Sequence, residues 1–269
     1  MGRIAVVLSL AALPLAATAC GNSKPSGGGT GATTAKSAGA SVQAAVRKTV
    51  AAGSEHVAVT ASANASGQKV TLTGTGDFDS AQRRGKLHAT VSLGVQTSID
   101  EVLDGTTAYV QSPLLSALLP SGKSWLKVDL AAAGKAFGVD TTVLRAQDPG
   151  VALAQLEALK DVREVGTQTL NGVRLTHYRG TIDVSKLPSG SGDALANAGA
   201  SLGPVDVWVG EDGYVHRERL VTTASSSGQS GKTVVTTTLS RFGESVQVSV
   251  PAASETVDAS KVSIPGLGS

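Results

Sequence analysis

The sequence predicts an α+β protein built on a single large antiparallel sheet, and three observations predict it. Apolar and polar residues alternate over runs of up to about ten residues. The dipeptides Asp104-Gly105, Asn171-Gly172 and Asp212-Gly213 fall between such runs, and helical spacing is confined to a few stretches. Alternation at period two marks strands with one covered and one wetted face. Asn-Gly or Asp-Gly between two such runs is a hairpin signal. The expectation is roughly ten or eleven strands and three or four helices. A sheet of that size can curve into a half-barrel, with the helices covering its concave face.

The 269-residue chain opens with Arg3 and an apolar run from Ile4 to Leu13. That run is short for a bilayer span, which needs about 20 residues. Ala17, Thr18 and Ala19 then lead to Cys20, the one cysteine in the sequence. A basic start, an apolar middle and a small-residue cleavage site form a secretory signal, here residues 1–19. With Cys20 at the cleavage point it resembles a bacterial lipoprotein signal, although Ala17 stands where leucine is usual. The resemblance implies acylation of Cys20 and anchoring on the extracytoplasmic face of the cell membrane. Residues 20–40 are rich in Gly, Ser, Thr and Ala and read as a flexible tether with a reach of about 25 Å. A folded domain is expected over 41–258, with a C-terminal tail at 259–269.

Within that domain Ser41 to Ala52 has helical spacing through Val42, Ala45, Val46 and Thr49, and Gly53 stops it. Period two follows in His56–Ala65, Val70–Asp79 and Lys86–Val95, then in Thr97–Leu103 and Thr106–Gln111. Pro113 to Leu119 is a short apolar helix or loop. Trp125–Val128 reads as a strand, with Asp129 capping a small helix through Phe137. Asp148-Pro149 opens a further helix, Gly150 to Leu159. Two hairpins come next, Val162–Leu170 with Val173–Asp183 and Val205–Gly210 with Tyr214–Thr223. Between them residues 185–203 hold at most a short helix near Asp193–Ala198. Lys232–Phe242 and Val246–Val250 are the last expected strands.

Composition excludes several functions. Hydrophobic residues make up 41% of the chain but aromatics only 3%, so the core is built from Val, Leu and Ala. Net charge is near neutral, with no basic stripe for nucleic acid. Gly199-Ala200-Ser201-Leu202-Gly203 matches a nucleophile elbow, yet an Ala-rich segment precedes it and a strand follows, the reverse of what the motif needs. Ser124-Trp125-Leu126-Lys127 lacks the partner motifs of an S-x-x-K enzyme. Gly122-Lys123-Ser124 and Gly231-Lys232-Thr233 lack the first glycine of a phosphate loop. His56, His88, His177 and His216 are scattered and read as solvated surface residues. Asp100-Glu101 are strand neighbours that point to opposite faces, and Arg217, Glu218 and Arg219 read as a charged edge or exposed face. No catalytic constellation, metal site or cofactor is expected.

What remains is an aliphatic sheet whose concave face is filled either by side chains or by a ligand with hydrocarbon chains. Gly74, Gly76 and several alanines thin that face, and burying an acyl chain gains about 0.8 kcal/mol per CH₂. Residues alone leave the two readings open. The order GKSWLKVDL, DVREVGTQTLNGVRLTHYRGTIDVSKL, PVDVWVGEDGYVHRERL and TTTLSRFGESVQVSVP resembles the actinobacterial LppX/LprG-type lipoproteins. The resemblance spans roughly 41–258 and is most specific at Gly166–Gly180 and around Trp208. It implies a half-barrel similar to bacterial lipoprotein carriers, no catalytic residues, and an acylated lipid or glycolipid held between sheet and helices and moved through the cell envelope. On that reading Leu72, Val91, Leu93, Leu118, Leu156 and Val207 line the cavity, and residues 113–120 are the candidate lid. The alternative is a protein-interaction or regulatory lipoprotein with a filled core.

Overall fold

The structure is a computed structural model that describes residues 30–65, 68–116, 118–132, 152–153, 155–187, 195, 199–226 and 229–262. The signal, Cys20, the first part of the tether and most of the helices expected from Asp129 through Phe137 and at 193–198 lie outside these residues; Leu130–Ala132 and Leu195 are helical, and Asp129 Oδ1 accepts from the Ala131 and Ala132 N–H groups as the expected cap. Only fragments of the helix expected at 150–159 lie within the described residues.

The described residues form one sheet of thirteen strands, β1 (Ser54–Ala65), β2 (Gln68–Asp79), β3 (Arg84–Leu93), β4 (Val95–Asp104), β5 (Thr107–Gln111), β6 (Trp125–Asp129), β7 (Leu159–Leu170), β8 (Val173–Ile182), β9 (Ala200–Leu202), β10 (Val205–Gly210), β11 (Val215–Ser226), β12 (Gln229–Ser240) and β13 (Thr256–Asp258). Their spatial order is β13-β6-β5-β4-β3-β2-β1-β12-β11-β10-β8-β7, with β9 added to β11. All pairings are antiparallel except β13 on β6. Two sequential meanders, β1–β6 and β7–β12, are therefore joined along one seam between β1 and β12. The sheet is large, open and curved, as the alternation predicts.

Turn chemistry sets the hairpins. Asn171 and Gly172 both have positive φ (49° and 82°), which a two-residue type I′ turn requires. The base of the β10–β11 hairpin closes with Gly210 N–H donating to the Tyr214 carbonyl at 2.9 Å, and Gly213 carries a φ of 78°.

Three expectations about elements need correction. The first helix, α1, runs Thr30–Ala52, so residues 30–40 extend the helix where a tether was expected. These residues are rich in alanine, the best helix former, and Ala38 is buried at 7% exposure. Val246–Val250 forms no strand, because after β12 the chain leaves the ladder and crosses to the far edge, where β13 joins β6. β7 begins at Leu159, directly after a 3-10 turn at Leu156–Ala158, and not at Val162. β9 and β13 have three residues each, too few for a period to show.

α1 is the main packing element. Ala38, Val42, Ala45, Val46 and Thr49 follow helical spacing and all are buried. They pack with Val57, Phe78, Leu156, Leu159, Val162, Val205, Val207, Val215 and Leu239 in one core. Burying a valine or leucine of this kind contributes about 1.5–3 kcal/mol. Gly53, at φ 77°, ends the helix, a conformation glycine adopts without strain. Its last turn is fixed to the β10–β11 hairpin: Lys48 Nζ donates to the Asp212 carbonyl, and Thr49 Oγ1 accepts from Val215 N–H at 2.9 Å. Among the described residues α1 is the one long helix on the sheet. α2 (Pro113–Ser116) is a single turn beside β4.

Candidate functional site

The face on which α1 lies is the inner face, and strand register shows what covers it elsewhere. Across β1 to β6 one row runs Val57, Gly76, Leu87, Glu101, Val110 and Leu126, and the next runs Val59, Gly74, Ala89 and Ile99. A third row places Ala61, Leu72, Val91 and Thr97 side by side. From β7 to β12 and β1 this face is packed under α1. Over β4 and β5 a second, smaller core forms, where the helical residue Leu130 packs on Leu103 and Ala108.

The glycines expected to open this wall have a different use at one end. A Cβ on Gly85 would stand 2.3 Å from the Phe78 ring, and one on Gly76 would stand 3.1 Å from it. Both glycines therefore seat the Phe78 ring, which is 4% exposed and joins the α1 core. Space over Gly76 is occupied by an aromatic side chain and is not left for a ligand.

The predicted lining residues divide between the two halves. Leu72 is half-buried on β2 and pairs across the ladder with Val91, which is 7% exposed. Leu93 ends β3, two residues beyond Val91 on the same face, paired with Val95; its side chain lies outside the described residues. Leu156 and Val207 are 3% and 1% exposed within the α1 core. Leu118 follows α2 and, like Leu114, points its side chain to solvent, at 49% and 65% exposure. The structure thus brings Leu72 and Val91 together, and places Leu156 and Val207 in the core beneath the helix.

Two inward-facing carboxyls escape a reading by composition. The Arg217-Glu218-Arg219 run is not one exposed edge: Arg217 and Arg219 face outward opposite Trp208 and Asp206, while Glu218 faces inward between Val207 and Thr237. Glu101 faces inward beside Leu87 and Val110. Burial pushes the carboxyls of both Glu101 and Glu218 up to about 7, and a hydrogen bond from Thr237 offsets only part of this at Glu218. Alternation along β4 and β11 is the signal that finds them.

The outer face is built differently. Asp206 is 1% exposed and accepts from His177 Nε2 and Arg179 Nε, each at 2.7 Å, and from Arg219 Nη1 at 3.3 Å. Burial opposes its ionisation, but the hydrogen bonds and charges of Arg179 and His177 together hold its carboxyl below the usual range. His177 also stacks on Trp208 at 4.3 Å between ring centres. His216 is 9% exposed and bonds Asp212. These two histidines are structural and shielded, contrary to the expected solvated surface. A hollow of about 330 Å³ opens on the outer face among His56, Asp77, Lys86, His88, Asp100 and Trp125. Its size suits a ligand site, but its walls are ion-paired: His56 and Lys86 hold Asp77 at 2.8 and 3.4 Å, and His88 holds Asp100 at 2.6 Å. Ser201 of the apparent elbow lies on β9 and bonds Thr223 Oγ1 at 2.7 Å. Among the described residues no group of three His, Cys, Asp or Glu side chains could hold a metal ion. No described helix is long and apolar enough to cross a membrane.

Comparison with known proteins agrees with this architecture. Crystallised LppX of Mycobacterium tuberculosis superposes with a TM-score of 0.51 over 80% of this chain and 99% of its own, at 17% identity. LprF of Mycobacterium bovis covers 81% of this chain and 98% of its own at 18% identity and a TM-score of 0.47. An uncharacterised 31.2 kDa protein of Streptomyces griseus is 32% identical over 152 residues, 51% of this chain and 48% of that protein. The chain thus spans about half the length of that curated relative. The family model described as LppX_LprAFG lipoprotein matches residues 37–248, which takes in most of α1 and all of the strands except β13. The chain belongs to the LppX_LprAFG lipoprotein family.

Proposed function

We propose that this protein is a membrane-anchored lipoprotein of the extracytoplasmic face that binds an acylated lipid or glycolipid and carries or shelters it in the cell envelope. Cys20 is the anchor, acylated after removal of residues 1–19. The acyl chains lie on the inner face of β2–β6, against Leu72, Val91 and Leu93, with residues 113–120 as the lid. The supporting observation is that Leu72 and Ile99 stand half-buried on the inner face of β2 and β4, beyond the core that α1 seals. Each methylene moved from water onto that surface contributes about 0.8 kcal/mol. The chemistry proposed is binding and release, with no covalent step.

Native mass spectrometry of the mature chain, purified without detergent from an actinobacterial host, tests this reading. A discrete added mass that extraction identifies as an acylated species is the expected result. A clean apo mass, with no uptake of offered lipids, would reject lipid binding and turn attention to a protein partner.

A further inference from the structure

The two ends of the sheet differ in charge. Where β1 begins, the strands and turns carry Glu55, Asp79, Arg84, Asp104, Asp212 and Arg241. The opposite end of β1–β4, β11 and β12 is formed by residues 61–71, 90–99 and 222–232. These contain two charged residues, Lys69 and Lys232, both exposed, and no carboxylate. Toward β7 and β8 charged residues return, among them the Lys160–Asp183 pair.

Apolar side chains stand in water at this same lysine-bearing end. Val95 opens β4 at 74% exposure, and Leu114 and Leu118 project from α2 and the residues after it. α2 follows Gln111, which pairs with Asp100, and lies beside β4, whose remaining residues run back to Val95. The other exposed large apolar residues, Val50, Val165 and Val250, belong to three separate parts of the chain.

α1 points the same way. Lys48 and Thr49 pin its last turn at the acidic end, and a Cβ on Gly39 would already meet Val162, near the start of β7. Residues 30–38 extend the helix by roughly 13 Å more. From Cys20 to Thr30 the chain reaches at most about 35 Å. A tether that short holds the lysine-bearing end near the bilayer at high effective concentration, so contacts too weak to bind a free protein suffice. Lysine stems can lie along apolar surface while their ammonium groups reach anionic headgroups.

From this arrangement we infer that the lysine-bearing end is a membrane-docking surface: Val95, Leu114 and Leu118 enter the bilayer interface, and Lys69 and Lys232 meet anionic lipid headgroups. The inference rests on the Cys20 anchor proposed above and adds the orientation of the domain. Docked in this way, Leu72 and Val91, four and two residues inside that end of β2 and β3, stand next to the bilayer, and an acyl chain passes to the sheet without crossing water.

The test reads that orientation. The acylated mature chain is reconstituted in phosphatidylcholine and phosphatidylglycerol vesicles that contain a spin-labelled phospholipid as quencher. A fluorophore is attached at one end through Gln96→Cys or at the other through Thr169→Cys, both exposed positions; Cys20, the one native cysteine, is blocked by its acyl group. The expected result is several-fold stronger quenching at Gln96→Cys. Adding V95D/L114D/L118D should lower it to the Thr169→Cys level with the protein still vesicle-bound and its circular dichroism unchanged. Adding K69E/K232E should also lower it. Equal quenching at the two positions, stronger quenching at Thr169→Cys, or quenching at Gln96→Cys that survives both sets of changes overturns the docking surface and leaves the anchor standing. A chain recovered without an acyl group and free of vesicles overturns the anchor and the inference with it.

Discussion

The two meanders of this sheet are made from the same alternating strands, yet their inner faces are covered by different elements. Under α1, valines and leucines from β1, β10, β11 and β12 are 0–4% exposed. Across β2–β6 the inner face is mixed: Ala89, Val91, Leu103, Ala108 and Leu126 are 3–7% exposed, while Leu72 and Ile99 stay half-buried. The difference does not lie in the strands, whose patterns are alike. It comes from what packs on them: α1 over one meander, and Leu130 over Leu103 and Ala108 of the other. Among the described residues the larger core therefore lies under α1 and a smaller one lies at β4–β6.

Placing a charge in each half breaks the comparison most strongly. Val46→Asp puts an unpaired carboxylate into the α1 core and should cost about 4 kcal/mol or more, enough to unfold a domain of ordinary stability. Leu72→Asp should cost roughly 1 kcal/mol, because its side chain reaches water. Urea unfolding followed by circular dichroism measures both, and equal losses would show the second half to be as sealed as the first. Truncation gives a smaller contrast of the same kind. Leu239→Ala should lose about 2–5 kcal/mol by opening a cavity, and Leu72→Ala roughly 1 kcal/mol.

Acidity sharpens the contrast between the inner and outer faces. Glu101 and Glu218 are pushed to about 7 from an ordinary value of 4.5. Between those values the folded chain holds more protons than the unfolded chain, so stability is greatest below about 4.5 and falls as pH rises toward 7. The loss should be roughly 1–3 kcal/mol per residue. Asp206, whose carboxyl is held low, acts in reverse, and its contribution disappears as the pH falls through its lowered value. Unfolding midpoints from pH 4.5 to 8 should therefore fall in the wild type and fall less in E101Q/E218Q; a flat wild-type profile would place both acids in water. Gly85→Ala, which pushes the Phe78 ring off its seat, should cost about 1–3 kcal/mol, read by thermal melting.

Much of this was legible in the sequence because alternation is local. β1–β8 and β10–β12 follow from period two, and Asn171-Gly172 states its own turn. Tertiary relations were not legible. Ala38 reads as tether until Val162 is seen beneath the helix, where a Cβ on Gly39 would stand 4.0 Å from that side chain. Val246 to Val250 alternates as well as any strand but has no neighbour to pair with. Leu156 and Val207 have the same character as Leu72 and Val91, and only the position of α1 separates core from open wall. Glu218 was hidden by composition: two flanking arginines made a charged run out of a residue that strand geometry turns inward.

The seam between β1 and β12 has a consequence for how the chain acquires its shape. His56 lies opposite Ser240 and Ala63 opposite Thr233, so these rungs bridge nearly the whole domain, whereas every other antiparallel pairing links neighbouring strands or, for β8–β10 and β9–β11, strands one place removed. Each meander can form from contacts close in sequence, but the sheet becomes continuous only when its twelfth strand arrives. Long-range pairing of this kind slows folding because the loop entropy is spent before the contact is made. Closure of the seam is then the late, rate-setting event, and substitutions along Val57–Ala63 should change the folding rate more than equal losses of stability elsewhere.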